Sequence, residues 1–309
     1  GIITVDVVGS DDNGRCLVLQ PDGKMLVAGS TSVSGYGDYS LIRLNANGSL
    51  DHSFGIDGKL VIPVTNDNDG ILAIALQPDG KILAGGSSWT GSSRDYSMVR
   101  LNPDGTLDNS FSDDGKVFVG VGENHDDINS IIIQPDGKIL VAGHSQNYSE
   151  IADYSLARFN TDGTLDTTFG TNGTLLIPVG SGYDRAAVVM LQPDGSIVVA
   201  GTSYVSDGSS ESDYSLIRLN SNGVLDSSFG TNGKLIVPVG DSKDGASSAI
   251  MQSDGKIVLA GNSHNGSNYD FSVIRLNADG SFDSSFSDDG KMLIPIGAGD
   301  DYGSSVTLQ

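Results

Sequence analysis

The chain has 309 residues, of which 39 are acidic and 17 basic, a formal net charge of −22 at pH 7. A field of that sign repels phosphate backbones, so neither nucleic acid nor an anionic membrane surface is an expected partner. No apolar run approaches the length of a membrane-spanning helix, and the single Cys16 excludes an intramolecular disulfide framework.

In chain order, Gly1-Ile-Ile-Thr-Val-Asp-Val-Val8 reads as a short strand, aligned with Gly58-Lys-Leu-Val-Ile-Pro-Val-Thr65. A Gln-Pro-Asp-Gly turn begins at Gln20 and recurs at Gln77, Gln134 and Gln192, then as Gln-Ser-Asp-Gly at Gln252. The chain ends on Gln309, so successive glutamines lie 57, 57, 58, 60 and 57 residues apart. A period of this length marks a repeat array, a solenoid or a propeller. Within the unit Gly58 to Asp114, four runs read as strands: Lys59–Val64, Leu72–Gln77, Lys81–Gly86 and Tyr96–Asn102. Each is short, rich in apolar and β-branched residues, and bounded by Gly, Pro, Asn, Asp or Ser. No stretch shows helical periodicity. Gly290 to Gln309 aligns with the opening third of a unit, which predicts five four-stranded units plus two strands of a sixth, 22 in all. The expectation is an all-β chain, a single-domain propeller of antiparallel blades over residues 1–309, six-bladed or part of a longer array. Its unpaired terminal strands invite self-association by strand addition.

Two motifs recur in every unit: Leu101-Asn-Pro-Asp-Gly-Thr-Leu-Asp-Asn-Ser-Phe111 with Gly115-Lys116, and Leu76-Gln-Pro-Asp-Gly-Lys-Ile-Leu83. Together they resemble the delta-60 repeat of bacterial surface and secreted proteins. The departures are Ser253 for the turn proline and Thr174 for the lysine of Lys59, Lys116, Lys234 and Lys291. The resemblance implies a propeller, a bacterial cell-surface or extracellular setting, and no catalytic residues.

All length variation falls between the third and fourth strands of a unit, in loops that share a face with those between the first and second. These variable loops carry Tyr36, Trp89, His144, Tyr148, Tyr204, His264 and Tyr269 among Ser, Gly and Asn. Such loops suit adaptable capture of a glycan or a surface protein; they also suit simple coverage of the blade ends. A column of acids lies eight residues before each glutamine: Asp12, Asp69, Asp126, Asp184, Asp244 and Asp301. Asp67, Asp69, Asp126, Asp127, Asp300 and Asp301 are candidate calcium ligands, or else these acids form Asx-turns. Arg43, Arg100, Arg158, Arg218 and Arg275 sit in otherwise apolar strands and need acidic partners. Asp51, Asp108, Asp166, Asp226 and Asp283 are available. No catalytic motif occurs. The expected function is a non-enzymatic binding module, with a structural or filament subunit, or a propeller glycosidase or lyase, as alternatives.

Overall fold

The computed structural model describes residues 1–8, 11–204 and 211–308, and among these no helix occurs. The first sheet is β1 (Asp12–Leu19), β2 (Met25–Val33), β3 (Tyr36–Leu44) and β4 (Lys59–Ile62); the second is β5 (Asp69–Leu76), β6 (Ile82–Trp89), β7 (Arg94–Leu101) and β8 (Lys116–Val119). The third holds β9 (Asp126–Ile133), β10 (Ile139–Gln146), β11 (Ala152–Phe159) and β12 (Thr174–Ile177). The fourth holds β13 (Asp184–Leu191), β14 (Ile197–Tyr204), β15 (Ser212–Leu219) and β16 (Lys234–Val237). The fifth holds β17 (Asp244–Met251), β18 (Ile257–His264), β19 (Tyr269–Leu276) and β20 (Lys291–Ile294). Strands neighbour one another in chain order, antiparallel, and each sheet corresponds to one repeat. These are the blades of a β-propeller.

The phase of the blades corrects the sequence reading. The run that opens each sequence unit closes the sheet of the unit before: Ile42 pairs with Lys59, and Ile274 with Lys291. A strand at this position therefore needs an earlier sheet to pair with. Gly1–Val8 has none among the described residues and forms no strand. Lys291–Ile294 completes the fifth sheet, residues 295–308 form no strand, and Gln309 lies outside the described residues. The described strands number 20, not 22.

The chain divides into two compact units, residues 1–141 with 158–166 and residues 142–157 with 167–309. In the first, Leu26, Tyr39, Leu41, Phe54, Ile82 and Val99 form the core; in the second, Val198, Tyr214, Leu216, Phe229, Leu259 and Ile274 do. Alternation along the central strands packs both faces of a sheet against neighbours, which is why their sequences look apolar throughout.

Two devices couple successive sheets. Buried tyrosines reach the next sheet: Tyr39 Oη donates to Ser97 O at 3.0 Å, Tyr154 Oη to Ser215 O at 3.1 Å, and Tyr214 Oη lies 2.7 Å from Ser272 Oγ. Lysines at the start of the closing strands donate to carbonyls one repeat back, Lys116 to Pro63 at 2.8 Å and Lys291 to Pro238 at 2.6 Å. Thr174 is too short for that reach, and its hydroxyl donates to Thr171 O instead.

Candidate ligand face and the pins opposite it

In each sheet the Gln-Pro-Asp-Gly turns and the Asn-to-Phe connectors lie at one end, and the variable loops at the other. At the connector end Arg43 Nε donates to Asp51 Oδ2 at 2.7 Å, Nη2 donates to Ser53 Oγ, and the guanidinium lies 4.6 Å from the Phe54 ring centroid. Arg100 with Asp108 and Arg158 with Asp166 repeat the pair at 2.6 and 2.7 Å; Arg218 with Asp226 and Arg275 with Asp283 do so at 2.9 and 2.6 Å. A second cation joins most of them: Lys24, Lys81, Lys138 and Lys256 lie 2.8 to 3.1 Å from the same carboxylates. Ser196 replaces this lysine in the fourth repeat, and the Asp226 side chain is correspondingly more exposed, 30% against 9% for Asp108.

Burial alone would raise the Asp51 and Asp108 carboxyls. Hydrogen bonds from Ser53 and Ser110 and the paired cations instead hold both well below the usual carboxylate range. The Ser285 hydroxyl and Lys256 do the same for Asp283. Arg43, Arg100, Arg218 and Arg275 thus join strand, connector and ring.

At the variable end the acid column anchors turns. Asp69 accepts from Val64 N at 2.9 Å and from Thr65 N and Oγ1 at 2.7 and 2.8 Å. Asp126 accepts from Val121 N, Asp184 from Val179 N, Asp244 from Val239 N, and Asp301 from Ile296 N, at 2.6 to 2.8 Å. Backbone N–H groups thus share these carboxylates as Asx-type anchors, and no group of three or more His, Cys, Asp or Glu converges among the described residues. Asp127 pairs with Arg94 at 3.3 Å and accepts from Ser87; Asp67 accepts from Asn68 N, and Asp300 from Tyr269 N at 3.0 Å.

A second acid stands beside the column in several repeats. Burial first, then the neighbouring Asp69, raises Asp38; burial and Asp184 raise Asp153. Asp213 is pushed up to about 6 by burial, then by Asp244 and Glu211.

The rings fall into clusters at this end. In the first unit Trp89 closes β6, and His125, one residue before β9, meets it edge-on at 5.3 Å between centroids. The His125 Nδ1 accepts from Arg94 N at 3.1 Å, so Trp89, Arg94, His125 and Asp127 form one polar-aromatic patch. Tyr36 is half exposed at the start of β3. In the second unit Tyr183 lies 5.7 Å from His144 and 6.4 Å from Tyr204, and Gln146 Nε2 donates to its hydroxyl at 3.4 Å. His264, Tyr269 and Tyr302 form a third cluster, with centroids 5.2 and 5.6 Å apart. Tyr148 is 78% exposed. His144 is not a loop residue: β10 runs past Gly143, and the imidazole is 6% exposed within the strand. Its ring packs against that of Tyr183. Tyr183 and His125, on the crossover just before Asp184 and Asp126, and Tyr302, just after Asp301, escaped the sequence reading because none lies in the loop of variable length. The loop after Tyr204 continues into residues 205–210, outside the described residues.

A family model described as "Domain of unknown function (DUF5122) beta-propeller" matches residues 20–54, 77–111, 134–169, 192–229 and 252–286. A comparison with curated proteins returned no match. Among solved structures, a protein of unknown function from Dyadobacter fermentans DSM 18053 superposes with TM-score 0.56 at 11% identity, covering 95% of this chain and 86% of that one. Drosophila Semaphorin 2a gives 0.54 at 9%, covering 94% of this chain and 54% of its own. An ulvan lyase of family PL25 bound to -[GlcA(1-4)Rha3S]- gives 0.52 at 11%, covering 87% and 68%. At such identities the likeness is one of fold.

Proposed function

The chain belongs to the DUF5122 β-propeller family, and we propose that it is a non-enzymatic capture module that holds a glycan chain outside the cell. The observation that carries this reading is the pair of ring clusters at the variable end, Trp89 with His125 and Tyr183 with Tyr204. Each sets rings roughly at right angles at the mouth of a loop, where a pyranose can stack on one ring and abut the other. Asp38 and Asp213, with raised carboxyls, offer acceptors or donors to sugar hydroxyls. The same acids disfavour phosphate and sulfate, so the preferred ligand is a neutral polysaccharide. The acidic surface suits an extracellular setting.

The test is a glycan array followed by titration calorimetry on the hits. Trp89→Ala or Tyr183→Ala should each weaken binding roughly tenfold, while Phe118→Ala, an exposed ring at the middle of β8, should leave it unchanged. Retention of full affinity in a combined Trp89→Ala, Tyr183→Ala, Tyr204→Ala protein would falsify the proposal.

A further inference from the structure

The chain holds six Asn-Gly pairs, beginning at Asn13, Asn47, Asn172, Asn222, Asn232 and Asn265. In such a pair the glycine nitrogen can close a five-membered ring on the asparagine carboxamide carbon, because the following residue has no side chain to hinder the approach. A folded chain suppresses the reaction where that N–H is committed to the backbone. Gly48 N donates to Asn45 O, Gly173 N to Phe169 O, Gly223 N to Asn220 O and Gly233 N to Phe229 O, at 2.8 to 3.0 Å. Asn13 lies inside β1, in register with Ser30.

Asn265 and Gly266 are arranged otherwise. They sit in the short loop between β18 and β19, closed by Asn265 N donating to Asn268 O at 3.0 Å. Gly266 N donates to His264 Nδ1 at 3.1 Å, so the nucleophilic N–H points at an imidazole base and not at a carbonyl. The imidazole packs edge-on against Tyr269 at 5.2 Å between centroids, and Ser242 Oγ stands 3.3 Å from the same ring nitrogen. The Asn265 carboxamide is gripped at both ends. Its Oδ1 accepts from Ser267 N at 2.9 Å and from Asn268 N at 3.1 Å. Its Nδ2 donates to Asp270 Oδ2 at 2.7 Å and to Asn268 Oδ1 at 3.0 Å. Nucleophile, base and a pair of donors on the carbonyl oxygen thus converge on one carbon. The loop of the third repeat has only part of this. Asn147 Oδ1 likewise accepts from Ser149 N and Ile151 N, at 2.8 and 3.2 Å, but the side chain of Tyr148 follows it and obstructs ring closure.

We propose that Asn265 is a self-processing site, at which the folded chain converts its own asparagine to aspartate and isoaspartate. Gly266 N attacks Asn265 Cγ while its proton passes to His264 Nδ1. The new C–N bond leaves a tetrahedral carbon whose oxyanion keeps the Ser267 and Asn268 N–H groups. As the carbonyl re-forms, the Cγ–Nδ2 bond breaks, and the departing nitrogen takes the proton back from His264 and leaves as ammonia. Solvent water then opens the cyclic imide at either carbonyl. One opening gives aspartate; the other reroutes the main chain through the side chain and gives isoaspartate. The sum consumes only water. The product carboxylate lies against Asp270, where the amide had donated at 2.7 Å, so a like-charge contact replaces a hydrogen bond in the loop leading into Tyr269.

The experiment is timed peptide mapping by mass spectrometry of the full chain, held folded at neutral pH in water enriched in heavy oxygen. The peptide containing Asn265 should show the amide-to-acid mass gain with one heavy oxygen, and an isoaspartate isomer that separates on chromatography. The other Asn-Gly pairs serve as clocks in the same sample. Asn265 should convert at least about tenfold faster than any of them in the folded chain, whereas in urea all the pairs should converge on one slower rate. His264→Phe keeps a ring against Tyr269 but offers no base. It should slow Asn265 by about a hundredfold, the low end for a positioned general base, and leave the other pairs unchanged. Conversion of Asn265 that is as fast in urea as in the folded chain overturns the proposal, and that comparison needs no variant. A His264→Phe protein that melts with the parent and converts at the parental rate overturns it equally.

Discussion

Arg100 engages all three nitrogens, Nε on Asp108, Nη1 on the Thr161 carbonyl and Nη2 on Ser110, while its face covers Phe111. Arg100→Ala removes the pair, the carbonyl's donor and the stacked plane together, but leaves Lys81 on Asp108. The expected loss is about 3 kcal/mol in urea unfolding, the low end for breaking a buried pair. Arg100→Lys should recover only part of it, because an ammonium cannot serve three acceptors in a fixed fork.

Asp213 acts in the opposite sense. Its folded value of about 6 lies above the ordinary 3.8, so the folded state binds the extra proton between those limits. Its contribution is fully present below pH 3.8 and is lost as pH rises through about 6. Asp213→Asn should therefore raise the melting temperature at pH 7 and change little at pH 3.5. Parallel melting-temperature curves for the two proteins between pH 4 and 6 would refute the assignment.

At the scale of the strand, the recurrent departure from a regular ladder is a bulge. It lies between Ile71 and Ala73 in β5, with counterparts at Gly14/Cys16, Ala186/Val188 and Ala246/Ser248. The bulge drives the Gly70 carbonyl beneath Gly86, where a Cβ would stand 1.9 Å from the oxygen. A backbone atom cannot swing aside as a side chain can. Gly86→Ala is expected to cost about 2 kcal/mol or more. Gly70→Ala on the facing strand, with nothing within 4 Å, should be neutral or slightly stabilising because it restricts the unfolded chain. Paired urea melts of the two variants check this. The glycines at 29, 86, 201 and 261 are visible in the sequence, but period-two alternation treats them as ordinary strand positions. Only the opposing carbonyl explains them.

At the scale of the molecule, the repeat glutamines, the turn chemistry and the four runs per unit made blades legible, because each is a local signal multiplied five times. What was not legible depended on which unit pairs with which. The strand at Lys59 belongs with Tyr39, across the connector, not with Leu72, to which it runs on directly in sequence. That Asp69 anchors the turn at Val64 N and Thr65 N was not legible either, because an aspartate in this loop suits a cation or an Asx-turn equally. Trp89 stood out as the only tryptophan, yet its partner His125, in the crossover of the next repeat, carries no comparable mark.

The offset between sequence unit and blade has an evolutionary reading. Each sheet takes three strands from one period and its last from the next, so no breakpoint in the gene coincides with a privileged structural seam. Loss or gain of one period by unequal crossing-over, wherever it starts, removes or adds one strand of every kind. Every surviving sheet then finds an equivalent fourth strand, and the array can change length without passing through a broken intermediate.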